Sequence, residues 1–337
     1  MLTNQDFTHN RASFIGGSDI GAIIGVSKYR SALDVWLEKT GKHVDTKDSL
    51  ALRFGSFAED FIASEYARYI ALPVVAHANP IIHRNYTYLA GHIDRFVLPD
   101  SYTALFDGAG MLQASKLLEC KTANGFTQRE WGEAGTDEIP LQYLTQCLWY
   151  LELTQLPSID LAVLIGGSDF RIYTVEADFL LQQLLVEKAL HFWSEYVVKD
   201  CPPPPQSESD CKALFARSIP SKSVEASEAT RAMITELQIL QRNIAHEEER
   251  ISSIKQTIMQ TMAEAEILTI NSKPIVTWKA PKPITRIDTK RLASDHPEFV
   301  KPYQITTASA RRFVLKDWDI EASVQEAPII TTSETLL

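Results

Sequence analysis

Residues 31–199 alternate between stretches with the periodicity of a helix and short apolar stretches typical of strands, and this alternation constrains the fold more than any other feature. The predicted helices span 31–39, 50–70, 139–153 and 179–199. The predicted strands span 80–98 (two strands around a polar turn, the second containing Asp94), 116–122, 159–165 and 170–175. Elements in this order build a mixed sheet with helices packed against it. We therefore predict an α/β fold.

The composition is typical of a globular protein. Hydrophobic residues make up 45% and charged residues 23% of the 337 residues, and no stretch approaches the roughly 18 consecutive apolar residues of a membrane span. The first residues lack the charged start and apolar run of a signal peptide. The four cysteines are widely spaced, which disfavours a disulfide framework or a zinc site. We expect a protein of the reducing cytoplasm.

Two changes in composition divide the chain. A run of four prolines at 202–205, followed by a stretch rich in Ser, Glu and Asp, is typical of a stiff spacer. Near residue 270, helical spacing gives way to a basic sequence interrupted by prolines. We predict a first domain over 1–200, a proline-rich linker over 201–222, a helical segment over 223–270, and a basic C-terminal unit and tail over 271–337.

The segment after the spacer has the pattern of a coiled coil. Apolar residues recur at alternating spacings of four and three, at positions 233, 237, 240, 244, 247, 251, 254, 258, 261, 265 and 268. Nine of these eleven positions are apolar, and Glu247 and Thr261 are the exceptions. The spacing predicts either a coiled coil or a helical hairpin.

The charge is unevenly distributed along the chain. The net charge of −10 would by itself disfavour binding to nucleic acid. Between Lys273 and Lys316, however, ten Lys and Arg accompany three Asp and Glu, so this segment carries +7 and the remainder −17. The segment either contacts DNA phosphates, with Lys279, Arg311 and Arg312 as candidates, or pairs with the acidic remainder of the chain. The sequence leaves both interpretations open.

Two predicted neighbouring strands carry the clearest chemical signal. Asp94 lies on one strand, and Glu119, Cys120 and Lys121 follow on the next. Because side chains alternate along a strand, Glu119 and Lys121 share a face while the Cys120 carbonyl can still reach it. Two carboxylates and a carbonyl suit Mg²⁺ or Mn²⁺, and the lysine can orient a water beside them. The alternative is a solvated acid and a surface ion pair, which the apolar flanking residues disfavour.

Six blocks of sequence, in order, resemble the lambda-exonuclease/YqaJ-type viral recombinase family of the PD-(D/E)xK nuclease superfamily. They are IGGSDI at 15–20 with GVSKY at 25–29, FGSFAE at 54–59, AGHID at 90–94, LECKT at 118–122, IPxxYxxQ at 139–146 and LIGG at 164–167. The resemblance covers roughly residues 11–200. It implies a restriction-endonuclease-like core in the predicted first domain.

The resemblance assigns roles to six residues at the predicted metal site. Asp94 and Glu119 match the metal-binding carboxylates, together with the Cys120 backbone carbonyl, and Lys121 matches the catalytic lysine. Glu59 matches a helical glutamate that reaches the metal through water, and Gln146 a glutamine that positions the nucleophile or substrate.

A second site is predicted near the start of the matched region. Gly16, Gly17 and the Ser18 hydroxyl precede a short predicted helix, and such a helix start can bind an anion. In the family this position resembles the pocket for a 5′-terminal phosphate, which implies Arg11, Ser18 and Gly17 as ligands. Arg30 and Lys28 are alternative cations, and a simple helix cap is the alternative interpretation of Ser18.

The resemblance implies a Mg²⁺-dependent 5′-to-3′ exonuclease on linear double-stranded DNA, with Mn²⁺ as a substitute, which leaves 3′ single strands for an annealing protein. It also implies a homo-oligomer, a ring-shaped trimer in similar family members, and a phage or prophage protein in the cytoplasm of a bacterial host. The alternatives are a structure-selective or single-strand nuclease on the same core, and a catalytically silent DNA-binding or partner-recruiting protein.

Overall fold

A mixed sheet with helices on both faces forms the first part of the protein. The computed structural model describes residues 11–42, 50–306 and 309–316, and the chain divides into two compact units, Met1–Phe215 and Ala216–Leu337. The helices are α1 (Gly17–Ile23), α2 (Ala32–Lys39), α3 (Leu50–Ile70), α4 (Leu141–Thr154), α5 (Phe179–Phe192), α6 (Glu208–Leu214), α7 (Glu228–Met262), α8 (Thr289–Asp295) and α9 (Pro297–Val300). The strands are β1 (Val74–Val75), β2 (Ile81–Ile82), β3 (Ala90–Gly91), β4 (Arg95–Val97), β5 (Lys116–Ala123), β6 (Ser158–Ile165), β7 (Asp169–Glu176), β8 (Ile267–Ile270) and β9 (Lys273–Thr277).

The central sheet has five strands in the order β1, β4, β5, β6, β7. β5 pairs antiparallel with β4 and parallel with β6, and β7 pairs antiparallel with β6. A parallel pair requires a long crossover connection, which α4 supplies between β5 and β6. The predicted α/β fold with a mixed sheet flanked by helices is confirmed.

Helices cover both faces of β5. Because successive side chains of a strand point to opposite faces, even-numbered and odd-numbered residues of β5 contact different helices. Leu118 and Cys120 belong to a cluster formed with α3. Leu117 belongs to the larger core that includes residues of α1, α4 and α5. Glu119 and Lys121 lie two and four residues after Leu117, so their side chains point to the same face of the sheet, which is the side of α4.

The predicted helix over 50–70 is confirmed as α3, and its buried face explains its position. Ala58, Ile62 and Tyr66 recur every fourth residue and are all buried. The Tyr66 hydroxyl donates a hydrogen bond of 2.5 Å to the buried carboxylate of Asp160 on β6. This contact fixes α3 against the sheet and thereby places Glu59 near β4.

Two predicted elements differ in detail. Only short strands form within 80–98, where β2 and β3 pair as a hairpin and β4 begins at Arg95. Asp94 therefore lies at the bend before β4, where its side chain is free to turn toward β5. The helix predicted over 179–199 is α-helical to Phe192 and continues as a π-helical turn over Trp193–Val197.

The predicted linker over 201–222 is wrong in its first part, because the first unit extends to Phe215. Pro203 and Asp210 are buried. Asp210 accepts a hydrogen bond of 2.8 Å from the Ser31 hydroxyl at the start of α2. The proline run is therefore followed by a helix that packs on the first unit.

The second unit contains one long helix rather than a helical hairpin. α7 ends at Met262, and β8 and β9 then form a hairpin through Asn271 and Ser272, both at positive φ. The helical segment predicted over 223–270 is thus wrong at its C-terminal end, where strand pairing replaces the helix. Residues 317–337 of the predicted tail lie outside the described residues. In the part of the chain that is described, no helix has the length and apolarity needed to cross a membrane.

Candidate active site

The pairing of β4 with β5 brings the predicted metal-site residues together. Arg95 lies opposite Leu118 in the antiparallel register, so Asp94 comes next to the following residues of β5. The Cys120 N–H donates a hydrogen bond of 2.8 Å to Asp94 Oδ2. Since the N–H and C=O of one strand residue point to the same side, the Cys120 carbonyl also faces Asp94.

Glu119 is a buried carboxylate with one unsatisfied oxygen. Its side chain is 1% exposed, Oε1 accepts hydrogen bonds from Lys121 and Gln146, and Oε2 has no hydrogen-bond partner. Burial, together with the negative charge of Asp94, raises the pKa of Glu119 to about 8. A buried carboxylate oxygen without a partner is costly, and a bound cation is one of the few groups that offsets the cost.

Lys121 and Gln146 hold Glu119 from two sides. Burial lowers the pKa of Lys121, but the charges of Glu119 and Asp94 outweigh burial and raise it, so the lysine stays protonated. The Gln146 amide donates to Glu119 Oε1 at 2.7 Å and to the Tyr150 hydroxyl at 3.0 Å. Gln146 therefore fixes one oxygen of Glu119 and leaves the other free for a ligand.

Two glycines allow α4 to approach the site. A Cβ atom on Gly17 would lie 2.6 Å from the Tyr150 ring, and one on Gly91 would lie 2.7 Å from it. Only glycine fits at either position while Tyr150 keeps its hydrogen bond to Gln146. The glycines of the IGGSD and AGHID blocks are thus needed for packing against α4.

Glu59 lies beside the carboxylate pair and is held by a residue that the sequence analysis missed. Arg95 Nη1 donates to Glu59 Oε1 at 2.7 Å and to the Asp94 carbonyl at 2.5 Å. Burial and the charge of Asp94 raise the pKa of Glu59, against the opposing effect of Arg95. No sequence signal beyond its place next to Asp94 marked Arg95.

The donor set fits a hard divalent cation completed by solvent and substrate. Among the described residues, no three His, Cys, Asp or Glu side chains converge to form a complete cage. Mg²⁺ needs no such cage, because it keeps several waters and is bound by one or two carboxylates plus substrate phosphates. The Asp94 and Glu119 carboxylates and the Cys120 carbonyl meet that requirement, and the unpartnered Glu119 Oε2 is the oxygen that such an ion would satisfy.

Arg11 and Ser18 come together at a pocket on the α1 side of the site. Arg11 Nη2 donates a hydrogen bond of 2.9 Å to the Ser18 hydroxyl. The adjoining pocket has a volume of about 490 Å³ and is lined by Arg11, Phe14, Gly16, Gly17, Ser18, His92 and Tyr150. Tyr150 also contacts Gln146, so the pocket adjoins the Glu119 side chain.

The two alternative cations are engaged elsewhere. Arg30 binds Asp19 Oδ1 at 2.8 Å and Glu38 Oε2 at 2.6 Å, and Lys28 binds Glu130 at 2.8 Å. Neither lines the Arg11–Ser18 pocket. The pocket therefore has Arg11 at its wall and neither Arg30 nor Lys28, and Arg11 Nε also lies 3.9 Å from Glu38 Oε1.

Lys39 is a second functional residue that the sequence analysis missed. Its ammonium group is fully buried and lies 2.7 Å from Asp19 Oδ2 and 2.7 Å from the Arg11 carbonyl oxygen. Burial raises the pKa of Asp19, but the charges of Lys39 and Arg30 outweigh it, so the pKa is lowered. Asp19 in turn accepts from the Gly16 N–H at 2.9 Å. Lys39 thus anchors the backbone at both ends of the pocket.

His92 also lines the pocket and was not selected from the sequence. Its ring lies 6.0 Å from that of Phe14, and burial together with the charge of Arg11 lowers its pKa. Its place in the AGHID block, two residues before Asp94, was the available signal.

The three candidate DNA contacts lie in the second unit. Arg311 and Arg312 are exposed, and Lys279 is exposed with its ammonium group 3.7 Å from Glu266. Their contact with DNA stays a prediction.

Comparison with known proteins finds a family match within the first unit. Residues 6–157 match the family model described as YqaJ-like viral recombinase domain. A relative from Bacillus subtilis (strain 168), called uncharacterized protein YqaJ, is 26% identical over 323 residues, which cover 94% of this chain and 95% of the relative.

Similar solved structures include an alkaline exonuclease (LHK-Exo) from Laribacter hongkongensis, with 13% identity, a TM-score of 0.45, and coverage of 58% of this chain and 93% of that chain. A phage related exonuclease from Haemophilus somnus 129PT has 10% identity, a TM-score of 0.40, and coverage of 56% and 96%. Over residues 6–157, the chain is therefore similar to the YqaJ-like viral recombinase domain family.

Proposed function

We propose that this protein is a Mg²⁺-dependent exonuclease that degrades the 5′ strand of linear double-stranded DNA, with Mn²⁺ as a substitute cation. One observation carries the proposal: the buried Glu119 carboxylate has a free oxygen beside Asp94, with Lys121 on the same face of β5. The match of residues 6–157 to the YqaJ-like viral recombinase domain supports it.

Asp94, Glu119 and the Cys120 carbonyl would hold the cation, which supplies positive charge to activate water and to offset the charge of the attacked phosphate. Gln146 keeps Glu119 Oε1 occupied, so Oε2 faces the ligand. Lys121 donates hydrogen bonds and orients the water against the phosphate. Arg95 holds the Glu59 carboxylate beside Asp94 and opposes the rise of its pKa, so Glu59 could accept a proton from water. Hydrolysis then needs no covalent intermediate with the protein.

The Arg11–Ser18 pocket would hold the 5′-terminal phosphate. The guanidinium supplies a charge-assisted hydrogen bond, and the Ser18 hydroxyl supplies a second donor. Lys39 holds the Arg11 backbone in place through the carbonyl contact. A terminal phosphate bound there would set the polarity, because only a 5′ end carries that group next to the scissile bond.

The test is digestion of end-labelled duplex with Mg²⁺, using 5′-phosphorylated linear, 5′-hydroxyl linear and closed circular DNA. We expect rapid digestion of the phosphorylated duplex, slower digestion of the hydroxyl form and none of the circle. Equal digestion of all three would favour a structure-selective or single-strand nuclease. Binding of DNA without cleavage at any cation concentration would favour a catalytically silent binding protein.

We also propose a partner, a location and an assembly for this protein. The 3′ single strand would pass to an annealing protein. The protein would act in the cytoplasm of a bacterial host as a phage or prophage product, and its core would assemble as a trimeric ring around DNA. Light scattering of a chain that ends at Phe215, which lacks α7, tests the trimer. Co-purification with a single-strand annealing protein tests the partner.

A further inference from the structure

The long helix α7 presents an apolar stripe that the described residues of its own unit leave largely exposed. Of its 35 residues, only Gln238 and Met262 are buried. Large apolar side chains along one face are exposed: Met233, Leu240, Ile244, Ile251 and Ile254. Helices of this kind draw most of their stability from tertiary packing of the apolar face. α7 therefore needs a partner.

The spacing of the stripe specifies the geometry of that partner. Residues in the a positions of the heptad are Leu237, Ile244, Ile251 and Ile258, and residues in the d positions are Met233, Leu240, Glu247, Ile254 and Thr261. A strict alternation of three and four residues keeps the stripe facing one helix in a left-handed supercoil. The stripe fits a second helix of the same repeat.

A parallel pairing of two such helices is opposed by charge. In a parallel, in-register pair, Glu247 would meet the partner's Glu247 in the core. Arg250, in a g position, would face the partner's Lys255 in an e position. Like charges in both places disfavour this orientation.

An antiparallel pairing removes both conflicts. With the two-fold axis between Ile244 and Glu247, every a position meets a d position across the interface. The core pairs are Met233 with Ile258, Leu237 with Ile254, Leu240 with Ile251, and Ile244 with Glu247. Each pair occurs twice by symmetry, so the whole stripe is covered.

The flanking residues agree with this orientation. Across the antiparallel interface Glu248 faces Gln241, Asn243 faces Arg250 and Glu236 faces Thr257. No pair joins like charges. Glu247 lies 3.9 Å from Arg250 of its own helix, which partly neutralises it. A single polar core residue of this kind fixes register at some expense of stability.

We propose that α7 forms an antiparallel two-stranded coiled coil with α7 of a second copy of this chain. The stripe is complementary to itself in reverse, a property that selects a second copy over an unrelated partner. The contact has two-fold symmetry and does not depend on the proposed nuclease activity.

Cysteine cross-linking in the full-length protein tests both the partner and the orientation. In a background with Cys201→Ser and Cys211→Ser, Leu240→Cys and Ile251→Cys are made singly and co-expressed with different tags. A disulfide requires Cα atoms within about 7 Å. The antiparallel register brings Leu240 next to Ile251, whereas two copies of position 240 are about 16 Å apart at 1.5 Å per residue.

We expect oxidation to cross-link the co-expressed pair efficiently and neither single variant alone. Gln256→Cys, on the outer face, serves as the control and should not cross-link with any of them. Efficient cross-linking of each single variant alone would show a parallel coil and overturn the proposal. A lack of cross-linking in every combination would overturn it as well, since the stripe would then be covered in another way.

A second measurement uses the assembled mass. Ile244→Asp combined with Ile251→Asp places charges in four core layers of the dimer. We expect the mass from light scattering to fall by half relative to the wild type, with DNA cleavage by the first unit retained. An unchanged mass would contradict the proposal.

Discussion

The first unit of this protein buries polar groups, whereas the second unit leaves apolar groups exposed. In the first unit, polar groups are forced into the interior: Glu119 is buried with an unsatisfied oxygen, and Lys39 is buried against Asp19. In the second unit, apolar groups are left outside, along α7. The unsatisfied Glu119 oxygen and the exposed apolar stripe are each unfavourable in the isolated chain. The first indicates a ligand, and the second indicates a protein partner.

The largest expected effect on DNA hydrolysis comes from the carboxylates Asp94 and Glu119 of the first unit. Asp94→Asn or Glu119→Gln removes a charged cation ligand, so we expect DNA hydrolysis to fall by more than about 10³-fold. The fold should survive, because the substitutions remove charge from a site where burial opposes it. Rates on 5′-labelled duplex and thermal unfolding check both points. Glu187→Gln, an exposed acid on α5, is the matched control and should cleave normally.

Lys121→Met should be the next most severe change. It removes a hydrogen-bond donor and a charge near the reacting phosphate without removing a cation ligand, so we expect a loss on the order of 10²–10³-fold. Cation affinity, measured by calorimetry, should not fall. A marked loss of cation affinity would instead show that Lys121 acts by holding Glu119 in place. Lys188→Met, on the exposed face of α5, is the control.

The pH dependence of cation binding should follow Glu119. Its pKa is raised to about 8, so below that pH a proton competes with the cation for the carboxylate. We expect Mg²⁺ affinity to rise about tenfold per pH unit up to about pH 8 and then to level off. Calorimetric titrations at pH 6.5, 7.5 and 8.5 measure this, and a flat profile would contradict the assignment of Glu119.

The raised pKa of Glu119 also predicts how the free energy of unfolding depends on pH when no cation is bound. The folded state retains a proton on Glu119 that the unfolded chain loses at lower pH. The free energy of unfolding should therefore decrease as pH rises from about 4.5 to about 8. Glu119→Gln should remove this part of the decrease, as chemical denaturation at several pH values would show.

The sequence predicted the helices better than it predicted the site's supporting residues. The Ser31–Asp34 capping box and the full length of α3 were readable, because both follow from local spacing. Lys39, Arg95 and His92 were missed because their roles depend on contacts between distant elements. The end of the 4–3 repeat at Met262 was missed because the β8–β9 hairpin competes with the helix there.

End recognition should show a smaller effect. Ser18→Ala or Arg11→Ala removes one hydrogen-bonding group from the pocket, so we expect the preference for 5′-phosphorylated over 5′-hydroxyl ends to fall by about tenfold. The rate after engagement should change less, as initial rates and single-turnover rates would separate. Arg84→Ala, an exposed arginine near β2, should leave the preference intact.

The smallest effect concerns the second unit. A chain ending at Phe215 keeps the buried Pro203 and Asp210, so we expect it to remain soluble and to cleave DNA, whereas a chain ending near Pro203 should lose stability. If the +7 segment contacts phosphates, the full-length protein should bind DNA with a steeper log–log dependence on salt than the shorter chain. The slope should differ by roughly 0.9 for each phosphate contact. Equal slopes would leave Lys279, Arg311 and Arg312 without a role in DNA binding, and the second unit would then contribute only through the α7 contact between copies.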